Sequence, residues 1–206
     1  MFTLGKLQVY LCFRSLIRIF VRAMNKIQVN EEQIIQAARD GNAAFLELIA
    51  AHIMQAVGGQ LTAETMGQLS ADQITLLAYQ TVRSEVMEGG FIQLIHNGYG
   101  PFIFLNPFAK AMRLWGARDF CNLIYEGRKL YEKYGEQLTC DCTDDEFMAL
   151  YEQYEEFDEL DDGFIEMEET VTDIVAHYID EHITDFVAVH SSQFTVHSDG
   201  EKDICK

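Results

Sequence analysis

Four groupings of side chains in this sequence have residue types that could do chemistry. Asp173, His177 and Glu181 recur every four residues. On a helix they would share one edge and offer an imidazole and two carboxylates to a transition metal. Asp158, Asp162, Gly163 and Glu169 match positions 1, 5, 6 and 12 of a twelve-residue calcium loop. Leu160 stands at position 3, where it cannot ligate, and no second loop follows. Cys140 and Cys142 flank Asp141, but no second Cys/His pair lies at zinc spacing. Gln93, His96 and Asn97 are polar groups in an apolar neighbourhood. His96 has no nucleophile or carboxylate paired with it in sequence, so the expectation is that these three satisfy loop backbone groups and fix a turn. None of the groupings is complete. The sequence predicts no enzyme, no metal and no cofactor.

What the chain carries in quantity is carboxylate. Residues 134–201 hold 21 of the 33 Asp and Glu and no Lys or Arg. Two helices are predicted to present them. The first starts at Thr143-Asp144-Asp145-Glu146, a capping box with early acids suited to the positive end of the helix dipole. Phe147, Leu150, Tyr151, Tyr154 and Phe157 follow at the spacing of one buried face. Asp145, Glu152, Glu156 and Glu159 fall opposite it. Gly163 is expected to break the pattern, just after Asp162. The second helix should bury Phe164, Met167, Val171, Ile174, Val175, Tyr178, His182 and Phe186, with Glu166, Glu169, Asp173 and Asp180 outside. Each outer row sets charges about one turn, ~5.4 Å, apart, of the order of the ~3.4 Å between charges on one DNA strand. Two such helices side by side, or a dimer of them, would present a DNA-like field to a basic groove. The plain alternative is a solvated acidic face that keeps the protein in solution.

The rest of the chain reads as scaffold. Its 206 residues are enough for one domain with a substantial core. A hydrophobic content of 49% with 2 Pro is globular and favours helix. A net charge of -18 and a pI near 4.5 argue against nucleic acid or an anionic membrane as a direct partner and favour a basic protein or a cation. Cys12, Cys121, Cys140, Cys142 and Cys205 are odd in number and without framework spacing, as expected of reduced thiols in a cytoplasm. Residues 1–23 contain Lys6, Arg14, Arg18 and Arg22 and no acid. Arg interrupts the apolar runs there, which excludes a membrane span of ~20 residues. This segment is read as a non-native upstream extension, with Met24 as the natural start, or else as a basic amphipathic segment. Without its four cations the net charge goes from -18 to -22.

Residues 24–189 are predicted to form a single all-α domain of seven or eight helices, and residues 190–206 a disordered tail. Asn30 with Gln33, then Asn42, then Ser70 with Gln73 mark helix starts, and Asn106-Pro107 marks another. Gly41, Gly58-Gly59, Gly89-Gly90 and Gly116 mark ends. A short piece lies near residues 62–67, and Phe91 to Ile95 is expected to be an apolar turn. A helix over residues 117–134 carries Arg118, Arg128, Lys129 and Lys133, cations that would pair with part of the acidic segment.

The run from Glu85 to Gly100, with Gly89, Gly90, Phe91, Gln93, Asn97 and Gly100, is followed by Asn106-Pro107-Phe108 and later by the acidic run from Phe147 to Leu160. Together these resemble a bacterial helical family that includes DNA mimic protein nineteen, over about residues 30–187. The resemblance implies an all-helical, dimeric, non-catalytic protein. It also implies that surface carboxylates imitate phosphates on the DNA-binding face of a transcription regulator. The glycine-rich core marks the fold more than the mimicry. The carboxylates expected to meet such a partner are Asp145, Glu152, Glu156, Glu159, Asp162, Glu166, Glu169 and Asp173. The alternatives are an adaptor that binds through a hydrophobic patch and, behind it, a calcium-binding protein.

Overall fold

The computed structural model describes residues 27–191. Residues 1–26, with the basic segment, and residues 192–206, which make up most of the expected tail, lie outside them. The fold is all-α: ten α-helices and one pair of three-residue strands among the described residues. Three helices of only four or five residues account for the excess over the sequence-based count.

Strand β1 (Gln28–Asn30) leads into α1 (Glu31–Asp40), capped by the Asn30 side chain, which accepts from the Glu32 N–H at 2.7 Å. Gly41, at φ +122°, turns the chain into α2 (Asn42–Ala56). The sequence predicts Asn42 as the cap of α2. It is instead the first helical residue, and its amide reaches across to Asp173. After α3 (Ala63–Met66), the Ser70/Gln73 capping box forms as predicted and opens α4 (Ala71–His96). Phe91 to Ile95 is the second half of this helix and not a turn.

α4 is the axis of the molecule. α2, α5 (Gly100–Phe104), α6 (Phe108–Leu114), α7 (Arg118–Leu138), α9 (Asp158–Glu181) and α10 (Ile183–Phe186) all pack on it. Its buried side chains, from Leu76 through Tyr79 and Val82 to Ile95, are what such a central position requires. The Tyr79 ring meets Phe120 edge-on, with centroids 5.8 Å apart, and its hydroxyl lies 2.7 Å from that of Thr172 on α9.

The acidic helices are organised differently from the expectation. α8 (Asp144–Gln153) has its Thr143/Glu146 capping box but stops at Tyr154 (φ -124°, ψ 52°), and a 3-10 turn over Glu155–Phe157 leads into α9. α9 then runs unbroken through Gly163. A Cβ at Gly163 would stand 3.0 Å from Leu123 Cδ1 of α7, so this glycine serves helix-to-helix approach and the helix is not broken there. At the end of the described chain, β2 (Ala188–His190) pairs in parallel with β1, Gln28 opposite Ala188 and Asn30 opposite His190. His190 therefore belongs to a strand and not to a tail. Buried Val29 and Val187 hold the pair in place, and the Ala188 N–H donates to Ile27 O at 2.7 Å. No helix among the described residues is long and apolar enough to cross a membrane.

Candidate functional site

All eight expected carboxylates are exposed. They do not lie on two continuous helices as expected. Asp145 and Glu152 are on α8, Glu156 is on the 3-10 turn, and Glu159 joins Asp162, Glu166, Glu169 and Asp173 on α9. The α9 set advances by three or four residues at each step, so its five acids share one face. At 1.5 Å per residue the row is about 21 Å long.

The cations of α7 leave this row almost untouched. Arg128 pairs with Glu132 and Lys129 with Glu126, both on α7 itself. Among the described residues only Lys133 reaches the predicted set, 3.5 Å from Glu156. The Tyr134 hydroxyl donates to the same carboxylate at 2.6 Å and is the main reason that Glu156 is held below the ordinary carboxylate range. Asp173 Oδ1 accepts from Asn42 Nδ2 at 2.7 Å.

Two other carboxylates, not singled out in sequence, hold α9 to the core. Asp161 Oδ1 accepts from the Phe91 N–H at 2.8 Å. That amide lies just past the break in α4, where Gly89 (φ -156°, ψ 27°) and Gly90 (φ +70°, ψ -177°) leave helical geometry. A Cβ on Gly90 would come within 2.2 Å of the Asp161 carboxylate. Only glycine suits the position, by conformation and by space. The Tyr151 hydroxyl of α8 donates to Gly89 O at 2.8 Å. Both acidic helices are thus bonded to the same glycine joint. Burial pushes the Asp161 carboxyl up to about 6, against the Phe91 N–H and with help from Asp158 and Asp162.

Glu168 is the second inward acid. Arg83 Nε donates to it at 2.5 Å and Arg83 Nη1 to Glu47 at 3.3 Å. The Thr172 hydroxyl also donates to Glu168, at 3.0 Å. With that proton committed, the Tyr79 hydroxyl must be the donor in its bond to Thr172. Burial raises the Tyr79 pKa to about 12. A signal for both acids was present in sequence. Asp161 and Glu168 each precede a buried residue, Phe164 and Val171, by three positions, on the inward arc of their helix.

The remaining motif residues are structural. Phe91 is fully buried, with ring centroids 6.2 Å from Phe104 and 6.4 Å from Phe164. Gln93 and Asn97 donate to the Glu85 carboxylate, at 3.3 and 2.7 Å, and not to loop backbone as expected. His96 Nδ1 lies 2.9 Å from Leu138 O, which fixes its proton on that nitrogen, and its ring lies 4.6 Å from Phe147 of α8. Gly100 leaves room for the Tyr131 ring, which a Cβ would meet at 2.3 Å.

The other candidate chemistries lack their geometry. Asp158 to Glu169 lies inside the single helix α9, so it is not a calcium loop. Of the proposed metal edge, Asp173 is bonded to Asn42, and His177 lies 3.5 Å from Glu181 on an exposed surface. No cluster of three His, Cys, Asp or Glu able to hold a metal occurs among the described residues.

Fold and site together define a class: an all-helical protein whose outward chemistry is a row of carboxylates on a helix pinned to the core. The chain belongs to the family described as DMP19-like protein, which it matches over residues 67–182. That span runs from before α4 to just past the end of α9, so it includes both the glycine joint and the acidic helices. The DNA mimic protein DMP19 of Neisseria meningitidis serogroup B (strain ATCC BAA-335 / MC58) is 32% identical to the chain over 142 residues, 68% of this chain and 85% of that protein.

Proposed function

We propose that this chain binds a basic DNA-binding protein, a transcription regulator, in place of DNA and so blocks its access to DNA. The observation that carries this reading is the exposed α9 row, from Glu159 to Asp173, to which no cation among the described residues is paired. Asp145, Glu152 and Glu156 extend the set onto α8 and the turn. Lys and Arg of the partner would meet carboxylates where they otherwise meet phosphates. The action is occupancy and not catalysis. The name of the relative, DNA mimic protein, supports the reading, and we infer a homodimer in a bacterial cytoplasm as its working form.

The test is capture by the full chain from a native lysate, elution in a salt gradient, and competition with the captured protein's own operator DNA. Release at moderate salt and displacement by that DNA are expected, because opposed surface charges are screened within ~8 Å at physiological ionic strength. Glu159→Lys, Glu166→Lys and Glu169→Lys together should abolish capture while leaving the melting transition in place. A salt-resistant partner without DNA affinity would refute mimicry and restore the adaptor.

A further inference from the structure

The two acidic helices each expose one large apolar side chain. On α8 it is Met148, 63% exposed, and on α9 it is Ile165, 56% exposed. The exposed positions of α9 are otherwise Asp158, Glu159, Asp162, Glu166, Glu169, Thr170, Asp173, His177, Asp180 and Glu181, all polar or charged. Ile165 is therefore the one apolar side chain among them, at mid-length of the row and on its flank, about 40° around the helix from Glu169 and about 60° from Asp162. Met148 has the same relation to Asp145 and Glu152 on α8.

A row of like charges one turn apart has a physical shortcoming. It is nearly periodic, so a cationic helix lying on it gains almost the same energy after sliding by one turn. Charge alone attracts without setting position. In DNA the same division exists: phosphates position a protein, and base edges, thymine methyls among them, distinguish one site from another. A single apolar contact bordered by a row of charges also has the form of an interface anchor, where a few side chains carry most of the binding energy.

Resting on the DNA-mimic reading above, we infer that Ile165 is the register-setting anchor of the α9 carboxylate row. It takes an apolar side chain from the basic recognition surface of the DNA-binding partner. The carboxylates supply long-range attraction, and Ile165 selects a partner with an apolar residue at the centre of its cationic stripe.

The experiment uses the full chain and two synthetic helical peptides with identical Lys/Arg stripes. One peptide has Leu at the centre of the stripe and the other has Gln, and affinities are measured over a range of salt. The wild-type chain should bind the Leu peptide about tenfold more tightly, the weight of burying roughly half of an isoleucine side chain. Ile165→Gln should remove that preference and leave the salt dependence unchanged, because the number of ion pairs is the same. Glu159→Gln, Glu166→Gln and Glu169→Gln together should weaken both peptides and flatten the salt dependence. Equal affinity of the wild type for both peptides, or a preference that survives Ile165→Gln, overturns the anchor and leaves the carboxylate reading standing. If the triple variant changes neither peptide's binding, the row is not the binding face and both fall.

Discussion

Among the described residues Asp161 is the carboxylate that burial raises above its ordinary range, and Asp161→Asn isolates it. Asp161 has a folded pKa of about 6 against an ordinary value of 3.8. Each unit is worth about 1.4 kcal/mol, so the full difference of about two units is about 3 kcal/mol. Part of the group meets solvent, and discounting for that leaves about 2 kcal/mol. The sign follows from proton binding. Between pH 4 and 6 the folded state holds a proton that the unfolded state has released, so this group's contribution is most favourable below pH 4 and is lost as pH rises to 6. At neutral pH the charged carboxylate is therefore a cost. The Asn side chain keeps an oxygen to accept from the Phe91 N–H and cannot ionise. Denaturant unfolding of both proteins at pH 4, 5, 6 and 7 checks this. The variant should match the wild type at pH 4 and exceed it by about 2 kcal/mol at pH 7. Asp161→Ala, which leaves the Phe91 amide without its acceptor, should be less stable than Asp161→Asn at every pH by about 1–3 kcal/mol. An Asp161→Asn protein that is less stable than wild type at pH 7, or whose difference does not change with pH, would refute the reasoning.

Gly90→Ala should cost at least about 3 kcal/mol by denaturant melt, because the residue sits at φ +70° and its Cβ would meet the Asp161 carboxylate at 2.2 Å; a loss below about 1 kcal/mol would mean the joint is not tight. Gly163→Ala should stay within about 1 kcal/mol of wild type, since the gain in helix propensity opposes a 3.0 Å contact with the movable end of Leu123. Arg83→Met should destabilise by about 2 kcal/mol, because it strands the Glu168 carboxylate, whose side chain is 17% exposed; adding Glu168→Gln should recover most of that loss in a thermal melt. Added NaCl should raise the melting temperature while weakening partner binding, since the row repels itself in the free chain and attracts only in the complex; a melting temperature that falls with salt would indicate a compensated surface.

The legible part of the fold was the part governed by local chemistry. The boxes at Ser70 with Gln73 and at Thr143 with Glu146 form where the residue types placed them, and Phe164, Val171 and Val175 are buried as their spacing demands. Glycine was legible as punctuation but not as to kind. Gly90 breaks a helix because its φ is positive, whereas Gly163 lies within one because Leu123 needs its missing side chain. The two uses look the same in a sequence. The pairing of β1 with β2 joins residues at opposite ends of the domain, and no local pattern encodes it. On the candidate site, exposure of the eight carboxylates was legible from periodicity. The inward duties of Asp161 and Glu168 are not legible in the same way: their angle leaves them off the outer row, but their partners, the Phe91 N–H and Arg83, lie on α4, 70 and 85 residues away.

The acidic surface and the glycine joint are parts of one device. Unpaired acids at helical spacing repel by a few tenths of a kcal/mol per pair, so the α9 row costs about 1–2 kcal/mol in all. That strain is offset on the opposite side of the same helix. Phe164 and Val175 are fully buried, each worth about 1.5–3 kcal/mol. Arg83 draws Glu168 inward, and Tyr178 stacks on Trp115 with ring centroids 4.6 Å apart. Burial holds a helix near the core but does not fix its rotation, and rotation decides which carboxylates face out. The directional contacts supply that: Asp161 on the Phe91 N–H, Tyr151 on Gly89 O, and Thr172 between Tyr79 and Glu168. Two of the three end on the Gly89-Gly90-Phe91 break in α4. The joint exposes backbone groups that an uninterrupted helix would keep for itself, and the acidic helices take them as their points of attachment. A chain that kept the carboxylates and lost the joint would keep its charge and lose the orientation that makes a row of it.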